Sequence, residues 1–124
     1  MSRVVHFEIP SSNPEKSMQF FKKAFGWTFS QFGPTPYFLA TTGPASEPGI
    51  NGAIMQKNHP QQPLTNNIAV DDIDQAIREI ERVGGKIVVP KTTLPGVGYS
   101  AYFTDPDNNI LGLWKEDPNA KIVQ

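Results

Sequence analysis

The sequence contains no cysteine, which excludes disulfide bonds, thiolate nucleophiles and metal sites built on thiolates. It also lacks an excess of charge, because 11 Lys and Arg against 12 Asp and Glu give a formal net charge of −1. Such a chain has no basic surplus to neutralise phosphates, so we expect no nucleic-acid partner. No apolar run approaches the ~20 residues of a membrane span, and the N-terminal residues show no signal-peptide pattern. We therefore expect a cytoplasmic protein without a membrane partner.

Proline and glycine, in contrast, are abundant, with 12 and 10 residues in a chain of 124. They predict many turns and short strands rather than a helical bundle. A hydrophobic fraction of 38% is typical of a soluble globular protein. The length fits one domain that covers residues 1–124.

The first half of the chain predicts one helix among four strands. Asn13 suits a helix cap, Pro14 the first helical position and Gly26 the helix end. The predicted strands are Val4–Pro10, Trp27–Phe32, Tyr37–Thr42 and Ile50–Lys57.

The second half predicts the same order. Asp71 or Asp72 can cap a helix from about Ile73 to Val83, which Gly84 and Gly85 end. The predicted strands are Asn67–Val70, Lys86–Pro90, Ser100–Thr104 and Ile110–Lys115. Two turns are predicted between them, at Pro95–Tyr99 and at Asp105–Asn109.

Each half therefore has the pattern βαβββ, which indicates an internal repeat. The predicted modules cover about residues 1–57 and 64–124, with a linker at about 58–63. Aligning Gly26 with Gly85, and allowing two extra residues in the first loop, places His6 opposite Asn67. The predicted fold is α+β: the paired modules form a curved mixed sheet with a concave groove and with the helices outside.

Paired modules of this length resemble the vicinal oxygen chelate superfamily of glyoxalases, bleomycin-resistance proteins and extradiol dioxygenases. The resemblance rests on seven segments, which are similar to a bacterial, glyoxalase-related branch. These segments are Val5–Pro10, Phe20–Trp27, Thr42–Gly43, Pro48–Gly52, Gly84–Lys86, Pro95–Tyr99 and Tyr102–Asn109. The resemblance implies this fold, a small-molecule ligand and a homodimer whose groove is often completed across the interface.

The resemblance also implies a divalent metal held by the first and last strands of each module. The matching positions here are His6, Asn67, Gly112 and either Ile54 or Met55. His6 alone is a strong ligand, whereas such a site needs about three or four. We therefore expect no metal and no other cofactor; if a divalent metal binds, we expect His6 and Glu8 as its ligands.

Six residues are candidates to line the ligand or to act in catalysis: His6, Glu8, Asn67, Tyr99, Tyr102 and Trp114. His6 and Glu8 lie on one strand face because side chains alternate along a strand. They can contact a ligand, form an acid–base pair or simply bond to each other. Tyr99 falls in the predicted turn, where it can also form a rim of the groove.

Four functions remain open. The first is binding of a small, partly apolar molecule without metal, and the alternative is a metal-dependent lyase or dioxygenase-like enzyme. The third is a metal-independent acid–base enzyme that uses His6 and Glu8. The fourth is an interaction module whose groove is filled by its own side chains.

Overall fold

The computed structural model describes residues 2–122, which form eight strands and two helices. In chain order these are β1 (Arg3–Ser11), α1 (Pro14–Phe25), β2 (Thr28–Gln31), β3 (Tyr37–Thr41), β4 (Asn51–Gln56), β5 (Thr65–Ala69), α2 (Ile73–Arg82), β6 (Lys86–Leu94), β7 (Gly98–Thr104) and β8 (Ile110–Glu116). Neither helix of this part of the chain is long and apolar enough to span a bilayer. The residues group into two compact units, which we call module one (5–65) and module two (66–122 with 2–4).

Module one is a mixed sheet with one helix, in the strand order β2-β3-β4-β1. The β1–β4 pair is parallel and the other pairs are antiparallel. The predicted helix is confirmed: the Asn13 side chain accepts a hydrogen bond from Lys16 N, and Pro14 occupies the first turn. Gly26 ends the helix with φ +76°, a conformation that favours glycine.

Aromatic rings pack α1 against its own sheet. Phe21 of α1 stacks on Trp27 with 4.7 Å between the ring centroids. Phe7 of β1 also contacts Trp27, with 5.6 Å between the ring centroids. Ile54 of β4 is completely buried. Phe20 and Phe25 remain 60% and 67% exposed, so α1 covers its sheet with only part of its aromatic surface.

Module two repeats this arrangement in the order β5-β8-β7-β6, again with one parallel pair, β5–β8. Asp72 caps α2 by accepting a hydrogen bond from Gln75 N. Ile73, Ala101 and Leu113 form a buried cluster that joins the helix to β7 and β8. The partly buried residues around it are Ile68, Val70, Ala76, Ile77, Ile80, Tyr99 and Phe103.

The predicted end of the sixth strand at Pro90 is wrong, because β6 continues to Leu94. The β6–β7 pairing shifts register between Ile87 and Val89 and again between Val89 and Thr92. Pro90 lies within this irregular stretch, where a residue without an N–H interrupts no regular ladder.

Both predicted turns of module two are confirmed. Val97 N donates to Leu94 O at 2.9 Å in the first. In the second, the Asp105 carboxylate accepts hydrogen bonds from the backbone N–H groups of Asp107 and Asn109. Asn108 adopts φ +64°, a conformation that asparagine tolerates better than most residues.

The helix caps and the burial of paired strand residues correct the predicted alignment of the two halves. Glu8 pairs with Ala53, and Asn67 pairs with Gly112. The cap Asp72 follows Asn13 by 59 positions. The same offset matches the buried pair Asn67 and Gly112 with the buried pair Glu8 and Ala53, whereas the predicted alignment would match it with His6 and the exposed Asn51. The first loop therefore contains no two-residue difference, and the counterpart of Asn67 is Glu8 rather than His6.

Candidate functional site

A chain of hydrogen bonds joins three side chains of module one. The Tyr37 hydroxyl donates to Glu8 Oε2 at 2.6 Å, and His6 Nε2 lies 2.8 Å from the same hydroxyl oxygen. The imidazole and phenol rings are nearly parallel, with an interplanar angle of 11°. Strand alternation places His6 and Glu8 on one face of β1, and Tyr37 reaches them from the start of β3.

This order of bonds defines the protonation of His6. The Tyr37 proton goes to the carboxylate, so its oxygen accepts from Nε2–H, and neutral His6 then has no proton at Nδ1. Burial lowers the pKa of His6 below its ordinary value, while the negative charge of Glu8 opposes this effect more weakly. His6 is therefore neutral near pH 7, with a nitrogen that can accept a proton or a hydrogen bond.

Glu8 is held in a polar setting although it is only 5% exposed. Its second oxygen, Oε1, accepts from the Thr65 hydroxyl at a long 3.4 Å. Thr65 is itself 7% exposed. A buried carboxylate needs such donors, because an unpaired charge inside a protein costs several kcal/mol, to an order of magnitude.

The donor set does not fit a divalent metal. His6 Nε2 and both Glu8 oxygens already bond to hydroxyl groups. Across the sheet from Glu8 stands Ala53, and the equivalent position in module two is Gly112; neither side chain can coordinate. No group of three or more His, Cys, Asp or Glu lies close enough for metal binding within residues 2–122.

A second polar side chain occupies the equivalent place in module two. Asn67 is 9% exposed, and no described residue donates a hydrogen bond to its Oδ1. A Cβ built on Gly112 would approach this oxygen to 2.2 Å and the ring atom Cε1 of Tyr102 to 3.2 Å. The amide therefore occupies space that any larger residue at position 112 would need.

Trp114 and Tyr99 lie on different faces of module two. Trp114 shares the face of Gly112, as the predicted alternation along β8 requires, and it pairs with Ser100. Tyr99 packs against the cluster under α2, and Lys91 Nζ lies 4.6 Å from its ring centroid. Tyr102 pairs with Gly112 and lies on the face of Asn67.

Two residues of the hydrogen-bonded cluster were not among the six candidates: Tyr37 and Thr65. Tyr37 stood in the sequence only as one aromatic of a predicted strand, 29 positions from Glu8. Thr65 preceded the predicted fifth strand and lies 57 positions from Glu8. The sequence could have indicated Thr65, because an offset of 59 positions between the two halves makes Thr65 the counterpart of His6.

The loop between β3 and β4 encloses a small cavity of about 120 Å³. Thr42 and Asn51 close the loop through a hydrogen bond of 2.9 Å from Thr42 N to Asn51 Oδ1. The walls contain one ionisable side chain, Glu47, and none of the six candidate residues. Asn51 connects this loop to the sheet, because it lines the cavity and also pairs with His6 of β1.

A sequence profile of the Glyoxalase/Bleomycin resistance protein/Dioxygenase superfamily matches residues 3–113. The chain belongs to this superfamily. The sequence is 27% identical over 116 residues to "Putative glyoxylase CFP32" of Mycobacterium bovis. The aligned part is 87% of this chain but 43% of that protein, so the chain spans less than half the length of this relative.

Solved structures agree with the superfamily fold. A superfamily member from Vibrio splendidus aligns with TM-score 0.67 and 15% identity, over 94% of this chain and all (100%) of that one. The Mn(II)-bound glyoxalase from Novosphingobium aromaticivorans aligns with TM-score 0.58 and 19% identity, over 100% of this chain and 42% of that one. At these identities the likeness establishes the fold alone.

Proposed function

We propose that the protein binds a small, partly apolar molecule through the His6–Tyr37–Glu8 face of module one, without a bound metal. The observation that carries this proposal is the continuous hydrogen-bonded chain from His6 through Tyr37 to the buried Glu8. It fixes the orientation of a neutral imidazole, which is a common way to present one polar contact to a ligand.

The apolar part of the proposed ligand is supported by the side chains around this cluster. Leu39 pairs with Ala53 in the row of Glu8, and it remains 40% exposed. Phe32 meets the edge of Tyr37 at 6.3 Å between ring centroids. Apolar groups around a few fixed polar atoms are typical of small-molecule sites.

The absence of a metal is tested by elemental analysis of protein purified without a metal-affinity tag, followed by calorimetric titration with Ni²⁺, Zn²⁺, Mn²⁺ and Fe²⁺. We expect neither stoichiometric metal nor binding heat. Stoichiometric metal that is lost in His6→Ala would replace this proposal with the alternative, a metal-dependent lyase or dioxygenase-like enzyme.

Ligand binding is tested by a thermal-shift screen of aromatic antibiotics and metabolites. Tyr37→Phe removes only the hydroxyl that joins His6 to Glu8, so we expect it to weaken binding of any hit. Tyr99→Phe is the matched control, because Tyr99 packs under α2. Equal loss in both variants, or hits unaffected by Tyr37→Phe, would count against the site.

A second candidate function is metal-independent acid–base catalysis, which the unprotonated Nδ1 of His6 supports. Each hit from the screen is incubated in D₂O, and exchange of its carbon-bound hydrogens is followed by NMR. Exchange that His6→Ala abolishes and that His59→Ala leaves intact would support this candidate. Failure of every hit to exchange would leave binding as the function.

Two further proposals concern the assembly of the protein and its location in the cell. Assembly as a homodimer is supported by superfamily membership, and light scattering coupled to size exclusion measures it directly. A cytoplasmic location is supported by superfamily membership, and fractionation of the native source tests it.

A further inference from the structure

The loop between β3 and β4 is held in a fixed shape. The Thr42 hydroxyl donates to Ile50 O at 2.7 Å and Thr42 N donates to Asn51 Oδ1 at 2.9 Å, so hydrogen bonds join the two ends of the loop. Within the loop, Glu47 N donates to Pro44 O at 3.1 Å. The cavity of about 120 Å³ is therefore formed before any ligand binds, which lowers the entropic cost of binding.

The walls of this cavity are poor in hydrogen-bond donors. Among the eight wall residues, Pro44 and Pro48 have no N–H, and the N–H groups of Thr42 and Glu47 already donate within the loop. Half of the wall residues therefore offer no free backbone donor. A ligand group that brings its own N–H donors complements such walls.

Glu47 gives the cavity a negative charge. It is the one ionisable side chain of the walls, and it takes part in none of the ion pairs within residues 2–122. Its carboxylate lies against Gly43, where an added Cβ would come within 3.7 Å of Oε2. A cationic group with N–H donors is the usual partner of a carboxylate. Since one water occupies about 30 Å³ in the liquid, the space suits a head group of a few heavy atoms.

The cavity lies next to the His6–Tyr37–Glu8 face of module one. Asn51, a wall residue, pairs with His6, and paired residues of neighbouring strands lie about 5 Å apart with their side chains on one face. Leu39 pairs with Ala53, two positions further along β4, and remains 40% exposed on this face. A ligand whose apolar body covers this face can thus place a short polar arm in the cavity.

We propose that the cavity of the β3–β4 loop binds a primary ammonium or guanidinium group through the Glu47 carboxylate, so that the preferred ligands of the protein are organic cations with an apolar body. The second part of this proposal rests on the ligand-binding function proposed above and adds the charge of the ligand to it. The first part concerns the loop alone and is tested separately.

Methylammonium tests the cavity by itself. Its chloride is titrated into the ¹⁵N-labelled full chain and followed by NMR, with sodium chloride at the same ionic strength as the control. We expect the amide signals of Gly43 and Gly49 to shift more with methylammonium, and we expect Glu47→Gln to remove this difference. Glu15→Gln, which removes an exposed carboxylate of α1, should retain it. Equal shifts with both salts would overturn the inference.

Two indole probes test the charge of the ligand. Tryptamine and tryptophol share the ring and the two-carbon chain, but tryptamine ends in an ammonium group and tryptophol in a neutral hydroxyl. We expect tryptamine to bind about three- to fivefold more tightly at low salt, a modest factor because Glu47 is exposed. The advantage should shrink at high salt, which screens the charges, and it should disappear in Glu47→Gln but not in Glu15→Gln.

The outcomes separate the inference from the proposed function. Equal affinities for tryptamine and tryptophol would overturn the preference for cations while leaving the ligand-binding function intact. A preference that survives Glu47→Gln would overturn it as well. If methylammonium shifts the cavity signals but neither indole binds, the cavity is supported, and the result counts against an apolar ligand on the His6–Tyr37–Glu8 face.

Discussion

Glu8 of module one and Asn67 of module two hold the same place in a repeated register, yet their environments differ. Glu8 faces Ala53 and accepts hydrogen bonds from the hydroxyl groups of Tyr37 and Thr65. Asn67 faces Gly112, and its Oδ1 receives none from the described residues. The strand register is thus the same in both modules, but the acceptor oxygens at this position receive hydrogen bonds from described residues only in module one.

The two modules also differ in how their helices are anchored. In module two, Ile73 of α2 is 3% exposed and packs with Ala101 and Leu113. In module one, no residue of α1 is fully buried, and the helix depends on stacked rings such as Phe21 on Trp27. Similar backbones can therefore be stabilised by aliphatic burial or by aromatic stacking.

The sharpest test of the Glu8–Asn67 difference is Gly112→Ala. We expect it to lower the free energy of unfolding by about 2 kcal/mol, because the new Cβ overlaps the Asn67 amide. The reverse change, Ala53→Gly in module one, should cost about 1 kcal/mol, mainly through chain entropy. Urea denaturation measures both.

The cause is isolated by a double-mutant cycle. Asn67→Ala should make Gly112→Ala better tolerated, with a coupling free energy of about 1 kcal/mol or more. Additive effects would show that the amide is not what fills the space at position 112.

Loss of the Tyr37 hydroxyl should have the next largest effect. Tyr37→Phe removes the 2.6 Å bond to Glu8 and should destabilise the fold by about 1–2 kcal/mol. Tyr99→Phe should change stability by less than about 0.5 kcal/mol. Equal urea midpoints for the two variants would show that the Tyr37–Glu8 hydrogen bond does not stabilise the fold.

The helix caps provide a case in which the modules should agree. Asn13→Ala and Asp72→Ala each remove a side-chain acceptor from the first turn of a helix. Each should cost about 1 kcal/mol in thermal or urea denaturation. A clearly larger loss at Asn13 would mean that α1 depends on its cap more than α2 does.

The smallest effect concerns pH. Because burial lowers the pKa of folded His6, the unfolded chain binds a proton more readily. The contribution of His6 to stability is therefore present above about pH 6.5 and is lost as the pH falls through that value toward the lower folded pKa. His6→Gln should flatten this part of the stability curve, whereas His59→Gln in the exposed linker should not. Parallel curves for wild type and His6→Gln would contradict the assignment.

Local features of this fold could be predicted from the sequence. The caps at Asn13 and Asp72, the helix end at Gly26 and the turn at Asp105 depend on residues within a few positions of one another. The βαβββ order and the superfamily followed from these features together with the motifs, and both are confirmed.

The parts that could not be predicted depend on residues distant in the chain. Tyr37 and Thr65 reach Glu8 only through strand pairing, and nothing in their local sequence marks them as its partners. The continuation of β6 beyond Pro90 depends on shifted pairing with β7, which a local rule about proline does not anticipate. The alignment of His6 with Asn67 is wrong because the residues of the first loop do not show its length, whereas the helix caps and the buried strand pairs do.

The irregular β6 has a consequence for the behaviour of the protein in concentrated solution. It is the outermost strand of module two, so one side of its backbone is not bonded to another strand of that module. Such edges can recruit strands from other molecules and start aggregation. Pro90 offers no N–H to an incoming strand, the shifted register disturbs the repeat of donors and acceptors, and Lys86 and Lys91 add charge. The shifted register around Pro90, which the rule that proline ends a strand did not predict, therefore protects the edge against strand addition.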